Sequence, residues 1–168
     1  MNADQNATIK RLLTLPDLLG ELVPRTKGDP KIKADLDALK LGSDDMSACL
    51  RAGLYLRFNF LDESHTVSQG IHSLEGSYWH AIMHRREPDY SNSKYWYRRV
   101  PAHPVFDELG KLAIVKEALG KASFDPVAFV DLCEVAEKKR ARYEAAVELQ
   151  RAEWRTLFEY CLHHAGNK

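Results

Sequence analysis

Apolar residues recur in steps of three and four along almost the whole chain, and few stretches alternate with period two. That spacing is the repeat of an α-helix with one buried face, so it argues against a sandwich or barrel and predicts an all-α fold. Proline and glycine fall mostly where the pattern pauses. Ile9, Leu12 and Leu13 mark a first helix, and Pro16-Asp17 opens a second with Leu18, Leu19 and Leu22. Pro30 starts a third, carrying Ile32, Leu36 and Leu39, and Gly42 follows its end. Ser43-Asp44-Asp45 is a helix-start signal for a segment reaching Leu61, apolar around much of its circumference and therefore central. Further helices are expected over Ser73–Arg86, Asp89–Val100 and Pro104–Leu119.

The longest regular pattern follows Asp125-Pro126. Phe129, Cys133, Ala136, Arg140, Tyr143, Val147, Gln150, Trp154, Leu157 and Cys161 alternate in steps of four and three. One long C-terminal helix is expected, lying across the others, and its seam offers a possible homodimer face. The expectation is a single helical domain over residues 1–168, a compact bundle of five or six main helices completed by that long one.

Charge and cysteine content narrow the function classes. Lys and Arg number 24 and Asp and Glu number 24, so no global field draws the chain to nucleic acid or an anionic membrane. The longest stretch free of those residues, Ser64–Leu74, has 11 residues and is too short and too polar to span a bilayer. The amino terminus lacks an apolar core of signal-peptide type, so the chain reads as soluble and cytoplasmic. Cys49, Cys133 and Cys161 are odd in number with no CxxC pair, and read as reduced, packed thiols. On one continuous helix Cys133 and Cys161 would lie roughly 40 Å apart.

The informative block is Asp62–Pro104. It holds five of the seven histidines (His65, His72, His80, His84, His103) and two of the three tryptophans, Trp79 and Trp96. Such a segment is costly as plain core, because buried polar groups need partners. On the Ser73–Arg86 helix, Ser73, Ser77, His80, His84 and Glu87 share one stripe. His80 and His84 are four apart, the two-ligand geometry of helical metal sites, but Ala81 follows His80, so the HExxH base is missing. A third ligand can come from His65, Glu63 or Glu87; the alternative is two histidines bonded to carboxylates or backbone.

Arg85 lies on the apolar side with Leu74, Tyr78 and Ala81. It should pair with a carboxylate, Asp62, Glu63, Glu75 or Asp89 being nearest in sequence, or bind an anionic group. Arg85, Arg86, Lys94, Arg98 and Arg99 interleave with Tyr90, Tyr95, Trp96 and Tyr97, which suits a phosphorylated ligand or nucleic acid. The balanced charge weighs against nucleic acid, and no Gly-rich phosphate loop or GxSxG elbow is present.

The run SYWHAIMHRREPDYSNSKYWYRRV, followed by HPVF at residues 103–106 and preceded by FLDESH at residues 60–65, resembles a group of uncharacterised bacterial and fungal proteins sharing this block. The resemblance covers about the middle third of the chain. It implies no activity and agrees only with placing a site here.

The resulting expectation is a small-molecule pocket lined by Glu63, His65, His80, His84, Arg85 and Glu87, around a divalent transition metal held by His65, His80 and His84. His80, His84, Glu63 and Arg85 are the candidate catalytic residues of a hydrolase or lyase. Trp79, Glu87, Lys94, Trp96 and Arg98 are candidates for binding the ligand, which the cations suggest is anionic. The competing expectation is non-catalytic binding of a phosphorylated ligand or nucleic acid through Arg86–Arg99.

Overall fold

The computed structural model describes residues 3–166 and is all-helical among them. Six helices begin where a side chain meets their free amide groups. Asp29 caps α2 (Pro30–Ala38), Asp44 caps α3 (Asp45–Arg57) and Ser73 caps α5 (Leu74–Arg86). Asp89 caps α6 (Tyr90–Arg98), His103 caps α7 (Pro104–Gly110) and Asp125 caps α9 (Pro126–Lys139). The remaining four are α1 (Ala3–Thr14), α4 (Leu61–Ser68), α8 (Ala113–Leu119) and α10 (Tyr143–His164). Among the described residues ten helices rather than five or six result, because three segments expected to be continuous are broken.

The breaks have local causes. The Ser43–Leu61 segment stops at Arg57: Phe58 leaves the helical region, Asn59 takes a left-handed φ of 60°, and α4 starts anew at Leu61. The polar run at Asp62–His65 is therefore a helix and not a terminus. The Pro104–Leu119 segment divides at Lys111-Leu112 into α7 and α8. The long C-terminal helix divides at Arg140 and Arg142, whose φ angles are 58° and 55°. Such residues cost about 1–2 kcal/mol each in the left-handed region. Arg140 recovers a contact, its guanidinium lying 3.4 Å from the Tyr143 ring centroid. Cys133 and Cys161 consequently belong to different helices, and all three cysteines are free and buried.

α3 and α10 pack together at the centre, α5 lies between α4 and α6, and α9 folds back against α6 and α10. The four-three seam is consumed in this packing. Phe129, Cys133, Ala136, Leu157 and Cys161 are all buried within the chain, so the seam is not a free face for a second copy. Gly53 of α3 permits a close approach of α5: a Cβ there would come within 2.8 Å of the Trp79 ring. Trp154 Nε1 donates to the Gly53 carbonyl at 2.8 Å.

Residues 15–29 form turns, not the helix expected at Pro16. Their buried carbonyls lack helical partners and are met by side chains from the core. Gln150 Nε2 donates to Leu19 O and Glu21 O at 2.9 and 3.0 Å. Arg86 Nη1 donates to Leu56 O at 2.5 Å, and Nη2 donates to Leu18 O at 3.0 Å and Asn59 Oδ1 at 2.7 Å. This explains both the polar interruption of the seam at Gln150 and a fully buried arginine without a carboxylate. Burial first, and then the Arg85 charge, pull the Arg86 guanidinium down to about 9. No helix among the described residues is long and apolar enough to cross a membrane.

Candidate metal centre

α5 is buried around its whole circumference from Glu75 to Arg86, and it carries polar groups on two sides. On one side, Arg85 meets Glu153 of α10, not any of the carboxylates nearest in sequence. Arg85 Nη2 donates to Glu153 Oε2 at 2.6 Å and Arg85 Nη1 to the Tyr97 hydroxyl at 2.8 Å. The Tyr97 and Tyr78 hydroxyls both donate to Glu153 Oε1, at 2.7 and 3.2 Å. Phe129 closes the set, its ring centroid 4.2 Å from the Arg85 guanidinium carbon. Burial is the largest influence and opposes the Arg85 charge, but Glu153, Tyr97 and Cys133 together outweigh it and the guanidinium ends above its ordinary value. Burial pushes both tyrosine hydroxyls well up. Arg85 is therefore an internal ion pair, and no anion from solvent reaches it.

On the other side, α5 presents His80 and His84 one turn apart, as their spacing dictates, and α4 presents His65 against them. One nitrogen or more of each ring is available, and a ligand atom from each lies within 4.8 Å of the other two. The ring centroids are 4.7 Å apart for His65–His80, 4.7 Å for His80–His84 and 5.4 Å for His65–His84. Trp96 of α6 covers the cluster, its ring centroid 4.2 Å from that of His80. A tetrahedral ion with bonds of about 2.1 Å needs nitrogens about 3.4 Å apart, so small rotations of the rings close the set.

Neighbouring groups orient two of the three rings. Ser68, one turn after His65 on α4, holds its Oγ 2.9 Å from His80 Nδ1. The same hydroxyl donates to His65 O at 3.4 Å, so it accepts from Nδ1–H and leaves the His80 Nε2 lone pair open. Asn92 Nδ2 lies 3.2 Å from His84 Nε2. Glu87 Oε2 is 3.3 Å from His84 Nδ1, but off the line a hydrogen bond requires. The half-buried His65 ring makes no side-chain hydrogen bond to any described residue; its contacts are the two neighbouring imidazoles.

His80 and His84 are held neutral. Burial, then the neighbouring His84 and His65, push His80 down to about 3. Burial also lowers His84, with Glu87 opposing. Neutral imidazole is the form that binds a metal.

The other expected site residues are distributed differently. Glu63 shares α4 with His65 but points to Lys33 at 3.4 Å, on the rim of an open cleft of about 530 Å³ with Lys27, Asn59 and Asp62. Trp79 is core, edge-on to Trp154 with centroids 6.3 Å apart. Lys94 pairs with Asp131 of α9. Arg98 is exposed and touches none of the histidines, and Arg86 is internal. Of the expected lining, His65, His80, His84, Trp96 and Glu87 come together; Glu63, Arg85, Trp79, Lys94 and Arg98 do not. Ser68 and Asn92 were missed. The His65-x-x-Ser68 spacing carried a signal for the first, and the tight α5–α6 turn that brings Asn92 back onto His84 carried none.

His103 is used structurally: Nδ1 accepts from Val105 N at 3.2 Å, which leaves Nε2–H to face Glu75 Oε1 at 3.4 Å. That contact is the largest cause holding the Glu75 carboxyl down to about 2. No family model, no curated protein and no solved structure matches the chain.

Proposed function

We propose that this protein is a metalloprotein that holds one divalent transition ion on His65, His80 and His84 and acts on a small molecule as a hydrolase or lyase. The observation that carries the reading is the convergence of three imidazoles, with a ligand atom from each within 4.8 Å of the others, no carboxylate in that group and no hydrogen bond from the His65 ring to any described residue. Within the cluster the buried ring nitrogen without a partner is His84 Nδ1, and buried polar atoms of that kind are rare. A bound ion would take the His65 and His80 lone pairs directly, and that of His84 in place of the Asn92 amide. Three neutral nitrogen ligands suit zinc, nickel, cobalt or ferrous iron and not magnesium or calcium, which prefer oxygen. With three protein ligands a coordination position stays free for water or substrate, and an ion there supplies Lewis acidity or an activated water.

The competing reading, binding a phosphorylated ligand or nucleic acid through Arg86–Arg99, loses support from the burial of Arg86 and from the pairing of Lys94 with Asp131. The test is uptake. Metal-free protein is incubated with a mixture of zinc, nickel, cobalt and ferrous salts, desalted and analysed for elements. About one ion per chain is expected, with loss in His65→Ala, His80→Ala and His84→Ala. A wild-type protein that emerges without stoichiometric metal overturns the reading.

A further inference from the structure

We infer that the proposed centre selects a ligand bearing an oxyanion, a carboxylate or a phosphate, and that Arg99 receives it. The inference rests on the metal reading above. Its first basis is charge. A ligand set of three imidazoles carries no negative charge, so the ion keeps its full positive charge and its free position favours an anion. The nearest carboxylate, Glu87, lies on the His84 side of the cluster, 3.3 Å from His84 Nδ1. The His80 side has no carboxylate recorded against it among the described residues, and there the cover is Trp96.

The second basis is Arg99. It follows Trp96 by three residues at the end of α6, and its guanidinium carbon lies 5.2 Å from the Trp96 ring centroid. It is exposed and has no carboxylate partner among the described residues. The other cations of the block are committed: Arg85 to Glu153, Arg86 to backbone carbonyls and Lys94 to Asp131. Arg98 is free but does not touch Trp96. Arg99 is thus the cation anchored to the cover of the histidine cluster whose charge is unspent. Stacking on Trp96 restricts its rotamers beforehand, so less entropy is lost when its planar donors meet an oxyanion. A ligand that reaches both the ion and Arg99 carries two polar ends, with the Trp96 indole beside them.

The experiment uses the cobalt-loaded full chain, with ligand binding followed by the visible absorption of the ion. The probes are glutarate, 3-phosphonopropionate and acetate. Acetate is too short to reach beyond the ion. Arg99→Gln is expected to weaken glutarate and 3-phosphonopropionate about tenfold or more, the effect of losing one charge-assisted contact. Acetate binding and cobalt affinity should stay within twofold, and Arg99→Lys should restore part of the loss. The tighter of the two long probes in wild type identifies the oxyanion. Normal cobalt uptake with equal probe affinities in wild type and Arg99→Gln overturns the inference and spares the metal centre. No cobalt uptake in wild type overturns both.

Discussion

The two polar sides of α5 are built on opposite plans. Around Arg85, both Glu153 oxygens accept hydrogen bonds, the Tyr97 hydroxyl both donates and accepts, and an aromatic face covers the guanidinium. Around His80, three rings of one kind face one another with Ser68 and Asn92 as their hydrogen-bond neighbours. Burial alone does not separate them: Arg85 is 1% exposed and His80 2%. What separates them is complementarity. Opposite charges and matched donors and acceptors hold helices together around Arg85, with Arg85 Nε the one atom left without a partner, whereas rings of one kind converging on a point offer lone pairs that a bound ion would take.

The largest expected effect tests the closed side. Arg85→Met leaves Glu153 buried and uncompensated, at a cost of about 3–5 kcal/mol. For a chain of this size that is a fall in melting temperature of roughly 10 °C. Arg85→Met with Glu153→Leu should cost clearly less than the two single changes added together. A single Arg85→Met protein melting within a couple of degrees of wild type would break the comparison at its firmer end.

Acid tests both sides. His80 titrates near its ordinary value of 6.5 when unfolded but is held down to about 3 when folded. The unfolded chain therefore binds the extra proton first, and metal-free stability falls as pH drops from 6.5 towards 3. Glu75, held down to about 2 by His103, adds a loss in the same direction between its ordinary 4.5 and 2. Denaturant titrations at pH 7 and pH 5 should differ by about 2 kcal/mol from His80 alone. His80→Gln should flatten that difference, and an undiminished difference in the variant would assign the acid response elsewhere.

Ser68→Ala sharpens the open side. Losing the hydroxyl that fixes His80 Nδ1 should weaken metal binding by about tenfold or more, measured by competition with a chelator. The smallest effect belongs to His80→Gln in metal-free protein at neutral pH. A change of similar volume should cost less than about 1.5 kcal/mol, because few hydrogen bonds depend on the ring. If it costs as much as Arg85→Met, the histidines are structural after all.

Much of the histidine cluster was legible in the sequence because it depends on local spacing. His80 and His84 share a face by helical period, and His65 lies in the neighbouring polar run. The partner of Arg85 was not legible: Glu153 lies 68 residues away and meets it only because α5 and α10 both pack against α3. Glu63 failed for a related reason. The polar run at Asp62–His65 is itself helical, and two residues along a helix turn a side chain to another face. The break between α9 and α10 was hidden because Arg140 and Arg142 take left-handed angles that glycine or asparagine usually announces. Nothing in KKRARY carries that signature, and the apolar spacing resumes in phase beyond it.

The most direct test of the central claim, that the open side is an ion's ligand set, is X-ray absorption at the zinc edge of the zinc-loaded protein. The account predicts three histidine nitrogens at about 2.0–2.1 Å plus one light, non-histidine ligand. Fewer than three imidazoles in the shell, or sulfur at about 2.3 Å, would contradict it.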